Sequence, residues 1–91
     1  MPYIKKSERA RLDPLVSELA EALKETEDSN LVAGNLNYVL TRLLRLTYGE
    51  SPRYVHHNEA IGVLECVKQE WYRRATTPYE ERKKLENGDV Y

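Results

Sequence analysis

NLNYVLTRLLRLT, residues 35–47, is the stretch of sequence that decides the fold of this chain. Its apolar residues recur every three or four positions, which is the spacing of one face of an α-helix. That face comprises Leu36, Val39, Leu40, Leu43, Leu44 and Thr47, and it is widened by Leu46. An apolar arc of this width predicts a helix that is covered by neighbours on more than one side.

The segments before and after this stretch have the same helical spacing. Asp13-Pro14 and the capping-box sequence Thr77-Pro78-Tyr79-Glu80 are start signals, and Gly49 and Gly88 are end signals. We therefore predict helices over about residues 14–26, from 31 or 35 to about 49, 57–76 and 77–87. Since no segment alternates with a period of two, we predict an all-α fold. The predicted architecture is a small three-helix bundle with a short C-terminal fourth helix, residues 1–91 forming a single helical domain.

Composition limits the classes of function. The chain has 91 residues, and its 14 basic and 15 acidic residues leave a net charge of −1, so nucleic-acid binding and attraction to anionic membranes are disfavoured. The only cysteine, Cys66, cannot form an internal disulfide, which is typical of a reducing compartment. There is no apolar run of signal-peptide or membrane-span character. We expect a cytoplasmic protein that does not enter the membrane.

Few residues are suited to catalysis or metal binding. His56 and His57 are the only histidines, whereas zinc requires three or four close ligands. We interpret them as an exposed or capping pair at the start of a helix, and Cys66 as a packed, inert thiol without a nearby base. The sequence predicts no catalytic residue, no metal ligand and no cofactor. Enzymatic activity is left open, with a non-enzyme favoured.

One carboxylate pattern supports an alternative. Glu86-Asn87-Gly88-Asp89 reads Glu-x-x-Asp, which resembles the second half of the magnesium motif in small all-helical nucleotide pyrophosphohydrolases. The first half of that motif, Glu-Glu-x-x-Glu, is absent. The alternative is a magnesium-dependent nucleotide-binding or pyrophosphohydrolase-like protein, which requires its carboxylates to converge. They would be Glu59, Glu65, Glu70, Glu86 and Asp89.

A second pattern combines basic and aromatic residues. Arginines and lysines interleave with tyrosines: Arg42, Arg45, Arg73, Arg74, Arg82, Lys83 and Lys84 with Tyr38, Tyr72 and Tyr79. Such a combination holds single-stranded nucleic acid in some proteins and builds protein interfaces in others. The balanced charge favours a protein interface or solvated faces, and weak nucleic-acid binding is the further alternative.

The C-terminal half carries a resemblance to a known family. The relevant segments are Asn58–Lys68, Glu70–Arg74, Pro78–Glu80 and Glu86–Tyr91. Together they resemble a family of short uncharacterised bacterial and phage proteins with the pattern NExIGxLExxKxExYRR…PYE…ENGDVY. Met1–Ile4 and Leu36–Tyr38 are similar to it as well. The resemblance implies no activity, but it draws attention to polar residues that could be caps and inter-helix hydrogen bonds: Asn37, Asn58, Glu59, Glu65, Glu70, Arg73, Tyr79, Asn87 and Asp89.

These observations favour a non-enzymatic helical interaction module. If the flanking helices do not cover the central one, a second copy of the chain would, so we predict a homodimer and allow for a further protein partner. The residues predicted for the interface or its polar network are Asn37, Tyr38, Asn58, Glu59, Glu65, Glu70, Tyr72, Arg73 and Tyr79.

Overall fold

Every regular element of the computed structural model, which describes residues 2–91, is a helix. The elements are α1 (Lys6–Arg9), α2 (Asp13–Lys24), α3 (Leu31–Tyr48), α4 (Tyr54–Trp71), a π-helical turn (Tyr72–Thr76) and α5 (Thr77–Asn87). The prediction of an all-α fold is therefore confirmed. Across residues 2–91, no helix is both long enough and apolar enough to span a membrane.

The chain comprises two compact units. The first is Tyr3–His56, and the second is His57–Tyr91 together with Pro2. The first unit contains α1 to α3, and the second contains most of α4, the π turn and α5. That the whole chain forms a single domain stays a prediction.

In the first unit α2 and α3 pack against each other as a helical hairpin. The half-buried apolar side chains there include Leu12, Leu19 and Leu23 before the turn and Val32, Val39 and Leu44 after it. The turn is fixed by the backbone N–H of Asn30, which donates to Asp28 Oδ1 at 2.9 Å. Because this turn ends at Asn30, α3 begins at Leu31 rather than at Asn35, and Gly34 lies inside the helix.

Gly49 ends α3 with a φ of +83°, a conformation that glycine adopts without steric cost. Its N–H donates to the Arg45 carbonyl at 2.9 Å. The Arg45 guanidinium in turn donates to the Gly49 carbonyl at 3.0 Å. The predicted end of this helix is confirmed, and the reciprocal bonds satisfy backbone groups that helix termination leaves unpaired.

In the second unit the predicted break before residue 77 does not occur. α4, the π turn and α5 follow one another without a non-helical residue, and Thr76 and Thr77 both have helical dihedrals. The predicted capping box is therefore wrong, and Thr76, the residue before α5, makes no side-chain capping bond. The N–H of Thr77 instead donates to the Tyr72 carbonyl, five residues back.

Pro78 gives a physical reason for the π turn. Proline has no N–H, and its ring collides with the carbonyl four residues back in an uninterrupted α-helix. A π turn inserts an extra residue into the hydrogen-bond ladder and relieves such local conflicts. The helix thus continues through Pro78 because five residues shortly before it, Tyr72–Thr76, have the wider geometry.

The side chains of the described helices all remain at least partly exposed to water. Among residues 2–91 no side chain is fully buried. Leu40 and Leu43, at the centre of the predicted apolar arc, remain 40% and 47% exposed. The helices of the predicted bundle are present, but their apolar faces are not removed from water.

Gly34→Ala is expected to raise the free energy of unfolding by about 1 kcal/mol, because glycine in a helix interior costs that much relative to alanine. A β-carbon at Gly34 meets no atom within 4 Å. Gly49→Ala is the matched control and should lower the free energy of unfolding by about 1–2 kcal/mol, since alanine resists positive φ. Urea denaturation at one protein concentration measures both, and shifts of the same sign would contradict the helix boundaries.

Candidate functional site

The predicted interface residues are divided between the two units. Asn37 and Tyr38 lie on α3 in the first unit. The others lie in the second unit: Asn58, Glu59, Glu65 and Glu70 on α4, Tyr72 and Arg73 in the π turn, and Tyr79 on α5. All are exposed except Glu70, which is half-buried. The structure thus places most of the predicted surface on the second unit.

Asn37 bonds within its own helix. The Thr41 hydroxyl donates to the Asn37 carbonyl oxygen at 2.9 Å and lies 3.5 Å from Asn37 Oδ1. Tyr38, the next residue, is exposed. The contacts of Asn37 are therefore those of a local helix surface.

Glu70 and Arg73 are brought together by the structure. Arg73 Nη2 donates to Glu70 Oε1 at 2.8 Å, and the Glu70 side chain is only 26% exposed. The pair joins the last turn of α4 to the π turn. A charge-assisted bond this short restrains both side chains.

Glu65 is held in its ionised form by two neighbours on α4. Gln69 Nε2 donates to Glu65 Oε1 at 3.2 Å, and Lys68 Nζ lies 3.3 Å from the same oxygen. The hydrogen bond from Gln69, followed by the bond and charge of Lys68, lowers the pKa of Glu65 below its usual value. Both partners stabilise the carboxylate and leave the protonated acid unchanged.

Tyr79 is the centre of a small basic cluster on α5. The guanidinium carbon of Arg82 lies 6.0 Å from its ring centroid and Lys83 Nζ lies 5.8 Å from it. Lys83 is also ion-paired with Glu86 at 3.1 Å, and Lys84 with Glu81 at 3.1 Å. The local acids therefore balance much of the positive charge, as the sequence composition indicated.

The predictions for the histidines and for the cysteine have different outcomes. His56 Nδ1 accepts the backbone N–H of Arg53 at 3.1 Å, and its ring lies 5.7 Å from that of Tyr48. This bond caps the first turn of α4, which agrees with the capping interpretation. Cys66 is exposed in the part of the chain that the structure describes, so the prediction of a packed thiol is wrong.

The carboxylates of the magnesium alternative do not form a cluster. Glu86 is paired with Lys83, and Asp89 Oδ1 accepts the backbone N–H of Tyr91 at 2.9 Å. Within residues 2–91 there is no group of three or more His, Cys, Asp or Glu residues placed to hold a metal ion. The convergence that this alternative requires is thus missing from the described chain.

A row of apolar residues along the second unit is a feature of which the sequence analysis assigned only Tyr79 to a site. We call it the α4–α5 stripe; it consists of Ala60, Leu64, Val67, Trp71, Ala75 and Tyr79. Three of its members line a cavity of about 350 Å³ beside Pro2, together with Glu70 and Arg74: Val67, Trp71 and Ala75. Their helical spacing is visible in the sequence, where it contributed only to the prediction of a helix over residues 57–76.

Gln69→Ala is expected to raise the pKa of Glu65 towards its ordinary value, because the hydrogen bond that is the largest single cause of the lowered pKa is removed. The contribution of this contact to stability is present above the ordinary glutamate pKa and is lost as the pH falls through the lowered value. A carbon-13 NMR titration of the Glu65 carboxyl measures the change. Asn58→Ala, also on α4, is the control and should not alter it; an unchanged pKa in Gln69→Ala would contradict the assigned contact.

Comparison with known proteins bears on the whole chain. A family described as a domain of unknown function, DUF6899, matches residues 1–90. No curated protein and no solved structure matches the chain. The family match agrees with the expectation of an uncharacterised family, and its description assigns no activity. Because the match covers nearly every residue, the chain belongs to the DUF6899 family of domains of unknown function.

Proposed function

We propose that this protein is a non-enzymatic helical interaction module that functions as a homodimer. The observation that carries the proposal is the lack of any buried side chain among residues 2–91, although long apolar side chains lie along α3 and α4. Exposed apolar surface on this scale marks a protein interaction site in soluble proteins. Association of two copies would give these side chains the apolar surroundings that one copy lacks.

The accessible area supports the same proposal. The chain exposes 8355 Å², whereas a folded monomer of its mass, 10.6 kDa, exposes about 5,500 Å². The difference is about 2,900 Å² per chain, or about 5,800 Å² for two chains, which is as large as the most extensive interfaces of obligate homodimers. A second copy is large enough to cover it.

The width of the apolar arc on α3 adds a local argument. At 100° per residue, the side chains from Leu46 round to Leu44 cover about 160° of the helix surface. A helix that packs against one neighbour needs an apolar stripe of about 100°. α2 supplies one neighbour, so the remaining part of the arc requires another.

Sedimentation equilibrium is expected to give the mass of two chains. The melting temperature should rise by about 4 °C for each tenfold increase in protein concentration, since dimer folding is linked to association and the unfolding entropy scales with 182 residues in two chains. Circular dichroism at 222 nm, measured over a hundredfold range of concentration, tests this.

A monomer with a melting temperature independent of concentration would overturn the proposal. A dimer whose apolar dye binding is low would support the proposal, because the exposed side chains would then be shielded by the second copy.

A further inference from the structure

The second unit presents a long, uninterrupted helical surface. α4 from His57, the π turn and α5 together give 31 residues without a break, or about 45 Å of helix. Along it the α4–α5 stripe advances in steps of four, three, four, four and four residues. Regular steps of three and four place apolar side chains in one seam, as in paired helices.

The centre of this seam is its most apolar and most open part. Trp71 is 70% exposed and stands at the border between α4 and the π turn. The cavity of about 350 Å³ beside Pro2 lies next to it, between Val67 and Ala75. A large exposed aromatic residue next to an apolar cavity is the arrangement of an interface hot spot.

The two halves of this helix carry opposite charge. Residues 54–71 contain three carboxylates and one lysine, a net charge of −2. Residues 72–87 contain five basic and three acidic residues, a net charge of +2. Two copies that lie antiparallel place each acidic half beside a basic half, whereas parallel copies place like charges together.

We infer that two copies of the chain pair antiparallel along the α4–α5 stripe, with a two-fold axis beside Trp71. This inference rests on the proposed self-association and adds its surface and orientation. With Trp71 on the axis, Leu64 lies opposite Tyr79 of the second copy and Val67 lies opposite Ala75. Val67 then faces the smaller side chain of Ala75, and the branched side chain of Leu64 faces the flat ring of Tyr79.

The pairing is reciprocal, as a two-fold interface requires. Trp71 of each copy enters the cavity beside Pro2 of the other copy, so that both cavities of the dimer are filled. Glu59, near one end of the stripe, comes beside Arg82 near the other end of the second helix. These edge contacts select the orientation, and the tryptophan supplies most of the apolar area.

Electron spin resonance distances between labels at matching positions distinguish the orientations. Labels are attached to Gln69→Cys or Leu85→Cys in a Cys66→Ser background, since both positions are exposed and lie outside the stripe. The antiparallel pair predicts less than about 30 Å between labels at position 69 and about 40 Å or more at position 85. Parallel helices predict similar short distances at both positions.

A dimer with short distances at both positions would overturn the antiparallel pairing and leave self-association intact. The same holds for a dimer with long distances at both, which would place the interface elsewhere. A single-chain mass with no measurable distance would overturn the proposed function itself.

Trp71→Ala provides the second readout. Its dimer dissociation constant should rise about 30-fold or more, which is the effect of removing an aromatic hot spot. Leu85→Ala is the matched control, because Leu85 is 85% exposed on α5 and outside the stripe, and its dissociation constant should not change. Equal effects of the two substitutions would contradict the central position of Trp71, and helical circular dichroism of both variants verifies that they fold.

Discussion

This structure depends on one constraint: it has many apolar side chains, and among residues 2–91 none of them is fully buried. Helix formation satisfies the backbone hydrogen bonds, but most helical stability in proteins comes from covering an apolar face. Within the first unit, α2 and α3 cover each other in part, and their apolar side chains stay at least partly exposed.

The second unit shows how a local conflict is accommodated within a long helix. Pro78 does not fit the hydrogen-bond ladder of an ordinary α-helix. Five π-helical residues accommodate it, and no non-helical residue separates α4 from α5. The Glu70–Arg73 ion pair spans the start of this irregular segment. Apolar and charged residues on either side of the turn consequently belong to one continuous surface.

Much of the fold could be predicted from the sequence, because periodicity reports helices directly. The ends at Gly49 and Gly88 were predicted because positive φ is specific to glycine. The break at Thr77 was predicted wrongly, since Thr77-Pro78-Tyr79-Glu80 has the residues of a capping box both inside and at the start of a helix. The two positions, inside a helix or at its start, are distinguished only by the acceptor of the Thr77 N–H, which is the Tyr72 carbonyl.

The surface was harder to predict than the helices. The spacing of Val67 and Trp71 identifies an apolar face, but no property of one sequence tells whether that face meets the same chain or another. Polar residues such as Asn37 and Glu65 were identified by pattern, and they make bonds within their own helices. Such short-range contacts do not reveal which partner a helix meets.

The π turn has an evolutionary consequence for chain length. Tyr79, which lies beyond it, keeps its angular alignment with Trp71 because the wider turn takes up one additional residue. Loss of one residue from Tyr72–Thr76 would leave this alignment nearly unchanged, but it would place Pro78 in an ordinary α-helical ladder, which proline does not fit. A chain of this kind should therefore lose that residue only together with Pro78, while the turn between α2 and α3 is free to vary in length.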